Sequence, residues 1–312
     1  MSDFNRIPLV IDCDPGIDDA FAIVYASLSK AFDIKAIVSV AGNVPIENTT
    51  ENADFLIGKC TIGCPLIKGA IKPLVGEPII AKYAHGANGL GGYEYKNGFN
   101  SSLVEGNPSD LFYNLLKSSQ QKIVIAAIGP LTNIAKLLLA YPDAKDYIES
   151  IYIMGGGIQR GNYSARAEFN IVADPLAAKI VFNAGLKMYV LPLDTSEAIH
   201  FKRDFFFELQ KGNTLSQLLY EIVDAKVDFK NNLEQPHLFL HDMLTIVAIS
   251  HPEFFNLIEC NINVEIDGQL TKGETIFDLR DTIRRLPSNG TYLAYKSSAE
   301  LINHFLEVLT HE

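Results

Sequence analysis

Tryptophan is absent from this chain of 312 residues, so no recognition surface on it is built around an indole. Cysteine is scarce: Cys13, Cys60, Cys64 and Cys260 are too few for a disulfide framework at this length. Cys60 and Cys64 resemble half of a metal site, but no Cys or His of matching spacing completes it, and all four read as free thiols. Basic residues are in deficit, 26 Lys and Arg against 37 Asp and Glu, and the formal net charge of −11 argues against nucleic-acid or anionic-membrane partners. No apolar run approaches the ~20 residues of a bilayer span. The opening Met1-Ser2-Asp3-Phe4-Asn5-Arg6 has no apolar signal core, and a cytoplasmic location is expected. Linkers, low-complexity tracts and internal repeats are missing too, which points to a single domain over residues 1–312.

What the chain does have is alternation. Apolar, partly β-branched runs at 7–11, 33–40, 122–128, 151–154 and 188–193 read as strands. Helical spacing covers 20–28, 46–59, 131–140 and 174–184, the last stopped by Gly185. Further on, helices are expected over 203–230 and 241–250, with strands near 258–265 and 291–296. Such alternation predicts an α/β protein, a Rossmann-like open, mainly parallel sheet with helices on both faces. The stretch from Ala81 to Asn107, rich in Gly, Asn and Tyr, reads as a long mobile loop of the kind that often serves as a lid.

The most telling local feature is four carboxylates in eight residues, in the run Asp12-Cys13-Asp14-Pro15-Gly16-Ile17-Asp18-Asp19. They fall on the turn between the first strand and the first helix, where one or two acids can cap the helix. Capping does not account for four, because like charges this close raise one another's pKa unless a cation joins them. A hard divalent ion bound through oxygen, Ca²⁺ or Mg²⁺, resolves the conflict.

Ligands of open α/β sheets bind beyond the carboxyl ends of the strands, and polar residues gather at those ends here. They are Asp12 and Asp14, then Gly42-Asn43, Gly129-Pro130-Leu131-Thr132-Asn133, the triple glycine 155–157, and Asp194-Thr195. Four more segments add chemistry: His85 in the expected loop, Asn162, Glu168-Phe169-Asn170, and His241-Asp242 at the start of an apolar helix. An isolated His241 is as easily a structural histidine as a catalyst. Asp242 beside it lets the carboxylate join a metal shell while the imidazole faces a ligand. His200, His237, His251, His304 and His311 lack such company and read as structural or exposed.

Along nearly its whole length the chain resembles the nucleoside hydrolases, which cleave the N-glycosidic bond of ribonucleosides. The specific signature is Asp12-x-Asp14-Pro15-Gly16-x-Asp18-Asp19-Ala20. Val40-Ala41-Gly42-Asn43, Gly129 to Asn133, Met154 to Gly157, Glu168 to Asn170, His241-Asp242, Gly273-Glu274-Thr275 and Asp278-Leu279-Arg280 follow in the family's order. The resemblance implies Ca²⁺ held by Asp14, Asp19, Asp242 and the carbonyl of Ile128, binding the ribose hydroxyls and the attacking water. It implies Asp14 as general base, and Asp18, Asn43, Asn162, Glu168 and Asn170 as hydrogen-bond partners of the ribose. It also implies His241 as the group that protonates or polarises the leaving base, and His85 as a contact to the base or the 5′-side.

A small-molecule ribonucleoside as partner and a homodimer or homotetramer follow from the same resemblance. The stretch 229–237 departs from the residues that usually touch the base, leaving the preferred base open. Lack of tryptophan turns the expectation from purine stacking to a broad or pyrimidine-leaning preference, with Phe229 or Tyr83 available to stack. Two alternatives share these residues: hydrolysis of another N-ribosyl compound, and a non-catalytic nucleoside- or Ca²⁺-binding protein. The latter needs neither Asp14 as a base nor His241 as an acid.

Overall fold

A computed structural model describes residues 6–95, 102–229, 231, 238–297 and 299–311. Its frame is one nine-stranded sheet: β1 (Ile7–Cys13), β2 (Phe32–Ser39), β3 (Leu66–Lys68), β4 (Ile123–Ala127), β5 (Ile148–Met154), β6 (Met188–Leu191), β7 (Phe255–Val264), β8 (Thr275–Asp278) and β9 (Gly290–Tyr295). The spatial order is β3-β2-β1-β4-β5-β6-β9-β7-β8. Pairing is parallel from β3 through β9, and β7 runs antiparallel to both β9 and β8. The expected open, mainly parallel sheet is therefore found, with an antiparallel edge.

Both faces are covered, and the strands show why in their sequence. Leu9, Ile11 and Cys13 of β1 enter one core while Val10 enters the other, and β4 divides in the same way. The period of two places every second side chain on one face, so a strand buried on both sides reads as a continuous apolar run. Against the first face lies the helix Ile17–Leu28, which is buried from Ile17 to Ala26 and apolar nearly all round, as a core helix must be. The helices His241–Ser250 and Ala299–Thr310 share that side, and Pro108–Ser118, Thr132–Ala140 and Pro175–Phe182 cover the other.

Several expectations need correction. The helix expected over 203–230 is two helices, Arg203–Lys211 and Thr214–Val227. Gly212 ends the first, and the Asn213 side chain accepts from the backbone N–H of Leu215 and Ser216 to start the second. β3, β8 and the helices Pro108–Ser118 and Ala299–Thr310 were not expected. The stretch after Ala81 is not one long loop. Lys82–His85 forms a helical turn, and Asn88 ties the next one, accepting from Leu90 and Gly92 N–H and donating to the Tyr93 carbonyl. Asn52 anchors this segment to the body by donating to the Asn88 carbonyl at 2.9 Å. Residues 96–101 of the expected loop lie outside the described residues. The four cysteines are free thiols, as expected.

Candidate active site

Pro15 and Gly16 break the chain after β1, and the helix starting at Ile17 turns its N-terminus towards the ends of the strands. Asp19 organises this turn. One of its oxygens accepts from Asp14 N–H at 3.2 Å, and the other accepts from Gly16 N–H at 2.8 Å and the Asn43 amide at 3.2 Å. Asp14 Oδ2 accepts from Asn43 N–H at 2.7 Å, while its Oδ1 is buried with no partner. The Asp14 carboxyl fits because two glycines flank it. A Cβ on Gly42 would stand 2.1 Å from Oδ2, and one on Gly129 would stand 2.7 Å from Oδ1.

Asp14, Asp18, Asp19 and Asp242 are all buried. Ligand atoms of Asp18, Asp19 and Asp242 lie within 4.8 Å of one another, and Asp18 Oδ1 is a second buried oxygen without a partner. Burial, and then the neighbouring Asp19, raises the Asp14 pKa well above the ordinary carboxylate range. Burial and the other three acids do the same to Asp242. Burial moves Asp18 up to about 6, and burial with the Asp18 charge moves Asp19 up to about 7. An all-oxygen, over-charged, under-partnered cluster of this kind fits a hard divalent cation. Asp19 and Asp242, expected as ligands, are brought together with Asp18, expected only to touch ribose; Asp14, the other expected carboxylate ligand, is buried beside this triad but is not one of the three whose oxygens meet. The Ile128 carbonyl lines the cavity above it and accepts from the Asn170 amide at 3.0 Å, which uses one of its two lone pairs.

A cavity of about 180 Å³ opens over this floor. Asn162, Glu168 and Asn170 form one wall. Asn162 Oδ1 accepts from Phe169 N–H at 2.9 Å, so the amide NH₂ is the end it can offer. Asn170 commits its NH₂ to the carbonyls of Ile128 and Met154, leaving its oxygen. Glu168 caps the helix Phe169–Ala173 and holds the N–H of Gly156, so the triple-glycine turn and this wall are one unit. Burial outweighs those donors and lifts Glu168 to about 7. Thr275 braces the turn from behind through Gly157, accepting from its N–H and donating to its carbonyl.

His85 and His241 also line the cavity. His85 Nδ1 accepts from Ile17 N–H at 3.2 Å; since a backbone N–H can only donate, the neutral ring carries its proton on Nε2. His241 Nδ1 contacts Ser196 Oγ at 2.7 Å. Burial lowers both rings to about 4, so each is a neutral hydrogen-bonding group near pH 7 rather than an imidazolium.

Sequence reasoning missed Met154, Phe169 and Ala81, which also line the cavity, and Ser196 beneath His241. The first two belong to the motifs Met154 to Gly157 and Glu168 to Asn170, which gave them no role of their own, and Ala81 opens the stretch expected as a loop. Tyr83 lines the mouth and is exposed. Phe229 does not reach the cavity: it is buried against Phe206, Phe207 and Tyr220. Asp194 and Thr195 are not part of the cavity either. Asp194 accepts from the N–H of Ile158 and Gln159, and Thr195 donates to the Leu293 carbonyl. Asn133 likewise serves structure, donating to Asp12 Oδ1 and the Ser39 carbonyl. Residue 230 and residues 232–237, His237 among them, lie outside the described residues.

A family model described as inosine-uridine preferring nucleoside hydrolase matches residues 9–302. Over 275 residues the chain is 37% identical to the non-specific ribonucleoside hydrolase RihC of Escherichia coli O127:H6, covering 88% of this chain and 89% of that one. The RihC of Shigella dysenteriae serotype 1 is 37% identical over 285 residues, 91% of this chain and 92% of its own. Among solved structures, the plant nucleoside hydrolase PpNRh1 superposes with a TM-score of 0.84 at 27% identity, covering 98% of this chain and 99% of that one. An inosine-guanosine nucleoside hydrolase superposes at 0.89 over 98% of each chain; at 23% identity that likeness concerns the fold alone.

Proposed function

This chain belongs to the family of inosine-uridine preferring nucleoside hydrolases, and we propose that it hydrolyses the N-glycosidic bond of ribonucleosides to free base and ribose, with Ca²⁺ at its carboxylate cluster. The observation that carries this reading is the floor itself, four buried acids with two oxygens that no group among the described residues satisfies. In this reading Asp14, Asp19, Asp242 and the Ile128 carbonyl hold the ion. Ligands drawn from separate segments favour the larger, more flexible Ca²⁺ shell over Mg²⁺. When bound there, the ion would supply an anchor for the ribose diol and lower the pKa of the attacking water.

The chain's own groups do the rest. Asp14 accepts the water's proton on Oδ1. Asn162 offers its NH₂ to a ribose hydroxyl, Asn170 and Asn43 offer their oxygens, and Asp18 and Glu168 accept from the same diol. Loss of the base leaves positive charge on the sugar ring, and a floor of carboxylates is complementary to it, so binding strengthens towards the transition state. His241 donates a hydrogen bond to the departing base, and His85 closes the mouth with its Nε2–H towards the base or the 5′-side. A broad or pyrimidine-leaning base preference is supported by the cavity, where Tyr83 and Phe169 are the aromatic side chains among the described residues and no indole exists to select purines. The whole chain is read as one catalytic unit that forms a homodimer or homotetramer, and its free thiols suit a reducing, cytoplasmic compartment.

The test is release of base and ribose from inosine, adenosine, guanosine, uridine, cytidine and thymidine, before and after chelation. Ribonucleoside turnover that chelation removes and Ca²⁺ restores is expected, together with loss of turnover in a folded Asp14→Ala variant. Silence across the panel from folded protein that binds Ca²⁺ would overturn ribonucleosides as the substrate and leave another N-ribosyl compound.

A further inference from the structure

The one-turn helix Leu193–Ser196 follows β6 and ends beneath His241. Ser196 is fully buried, does not line the cavity, and places Oγ 2.7 Å from His241 Nδ1. Its other acceptors, the carbonyls of Pro192 and Leu193, are each 3.4 Å away. A hydroxyl has one proton to give. A separation of 2.7 Å is near the optimum for such a bond, whereas 3.4 Å lies beyond the ordinary range. The proton therefore goes to Nδ1, and a neutral imidazole that accepts at Nδ1 carries its own hydrogen on Nε2.

We propose that Ser196 is a positioning residue, one that holds His241 in the tautomer presenting Nε2–H, rather than a lone pair, to the leaving base. The inference rests on the reading above, in which His241 faces that base. With Ser196 replaced by alanine the ring is free to exchange tautomers and to rotate about its Cβ–Cγ bond. In the wrong tautomer it meets a base nitrogen lone pair to lone pair. A substrate whose leaving group departs without a hydrogen bond is indifferent to this change. Among the described residues Ser196 bonds to Pro192, Leu193 and His241 and to no group of the carboxylate floor or the ribose wall, so their hydrogen bonds stay as they are.

The experiment compares Ser196→Ala, Ser196→Thr and His241→Ala on uridine or inosine and on p-nitrophenyl riboside, whose leaving group needs no proton. For Ser196→Ala, kcat on the nucleoside is expected to fall roughly 10- to 100-fold, part of what one hydrogen-bond donor aimed at developing charge contributes. KM and turnover of p-nitrophenyl riboside should stay near wild type, and Ser196→Thr should restore nucleoside turnover. Nitrogen-15 NMR of the ring should show Nε2–H in the wild type and a mixture of tautomers in Ser196→Ala. Wild-type nucleoside turnover in Ser196→Ala, equal loss on both substrates, or an Nδ1–H ring in the wild type would each overturn the proposal. Equal loss on both substrates in His241→Ala would instead overturn the role of His241 on which it stands.

Discussion

Among single residues, the acids of the floor set the strongest constraint. Each has been moved out of water and placed beside the others, so in the metal-free protein folding favours their protonated forms. With Asp18 raised to about 6 and Asp19 to about 7, the folded state holds protons that the unfolded chain has released above about 4. Stability of metal-free protein should consequently fall as pH rises from about 4 through 7. Ca²⁺ should restore most at pH 7.5 and least at pH 5. Melting temperatures in chelator and in Ca²⁺ across that range check this, and a metal-free protein equally stable at both ends would contradict it. The acids were legible because four in eight residues is unusual. Which oxygens go without partners was not, since that depends on Asn43, Gly42 and Gly129 arriving from other strands. Ser196 was illegible for the same reason, lying 45 positions from the ring it touches.

Secondary-structure elements explain the second kind of surprise. Phe229 was a plausible base-stacking residue from its place in the sequence. It instead follows the helix Thr214–Val227 and closes an aromatic cluster with Phe206, Phe207 and Tyr220. Phe229→Ala is expected to cost about 3–5 kcal/mol of stability with the ratio of purine to pyrimidine turnover unchanged. Urea unfolding and the substrate panel check the two halves, and a changed ratio in a stable variant would put Phe229 back at the base. The long strands and their helices were visible in their periodicity. Three-residue β3 and four-residue β8 were not, being too short to show a period. The turn at 81–92 looked like a free loop because its order comes from side chains of Asn52 and Asn88 bonding to backbone, which composition does not reveal.

At the scale of the whole molecule, the parallel part of the sheet gathers strand ends on one edge, and the carboxylate floor lies there. The antiparallel part ends in β8, an edge strand with exposed Ile276, followed by Leu279, Ile283 and Leu286 on the way to β9. Ile283 is fully exposed, and exposed apolar groups on and just after an edge strand suit contact with a second copy. Light scattering should therefore report an oligomer for the wild type and a smaller mass for Ile283→Asp with Leu286→Asp. An unchanged oligomer in that double variant would exclude this face as the contact. The same molecule is also rigid in one place and permissive in another. Gly42 and Gly129 press on Asp14 so closely that neither position tolerates even a methyl group, whereas Tyr83 and Ala84 meet the mouth exposed. On the proposed reading, substitutions are admitted at the rim and refused at the two glycines under the sugar, so a change of substrate here keeps the ribose and exchanges what is attached to it.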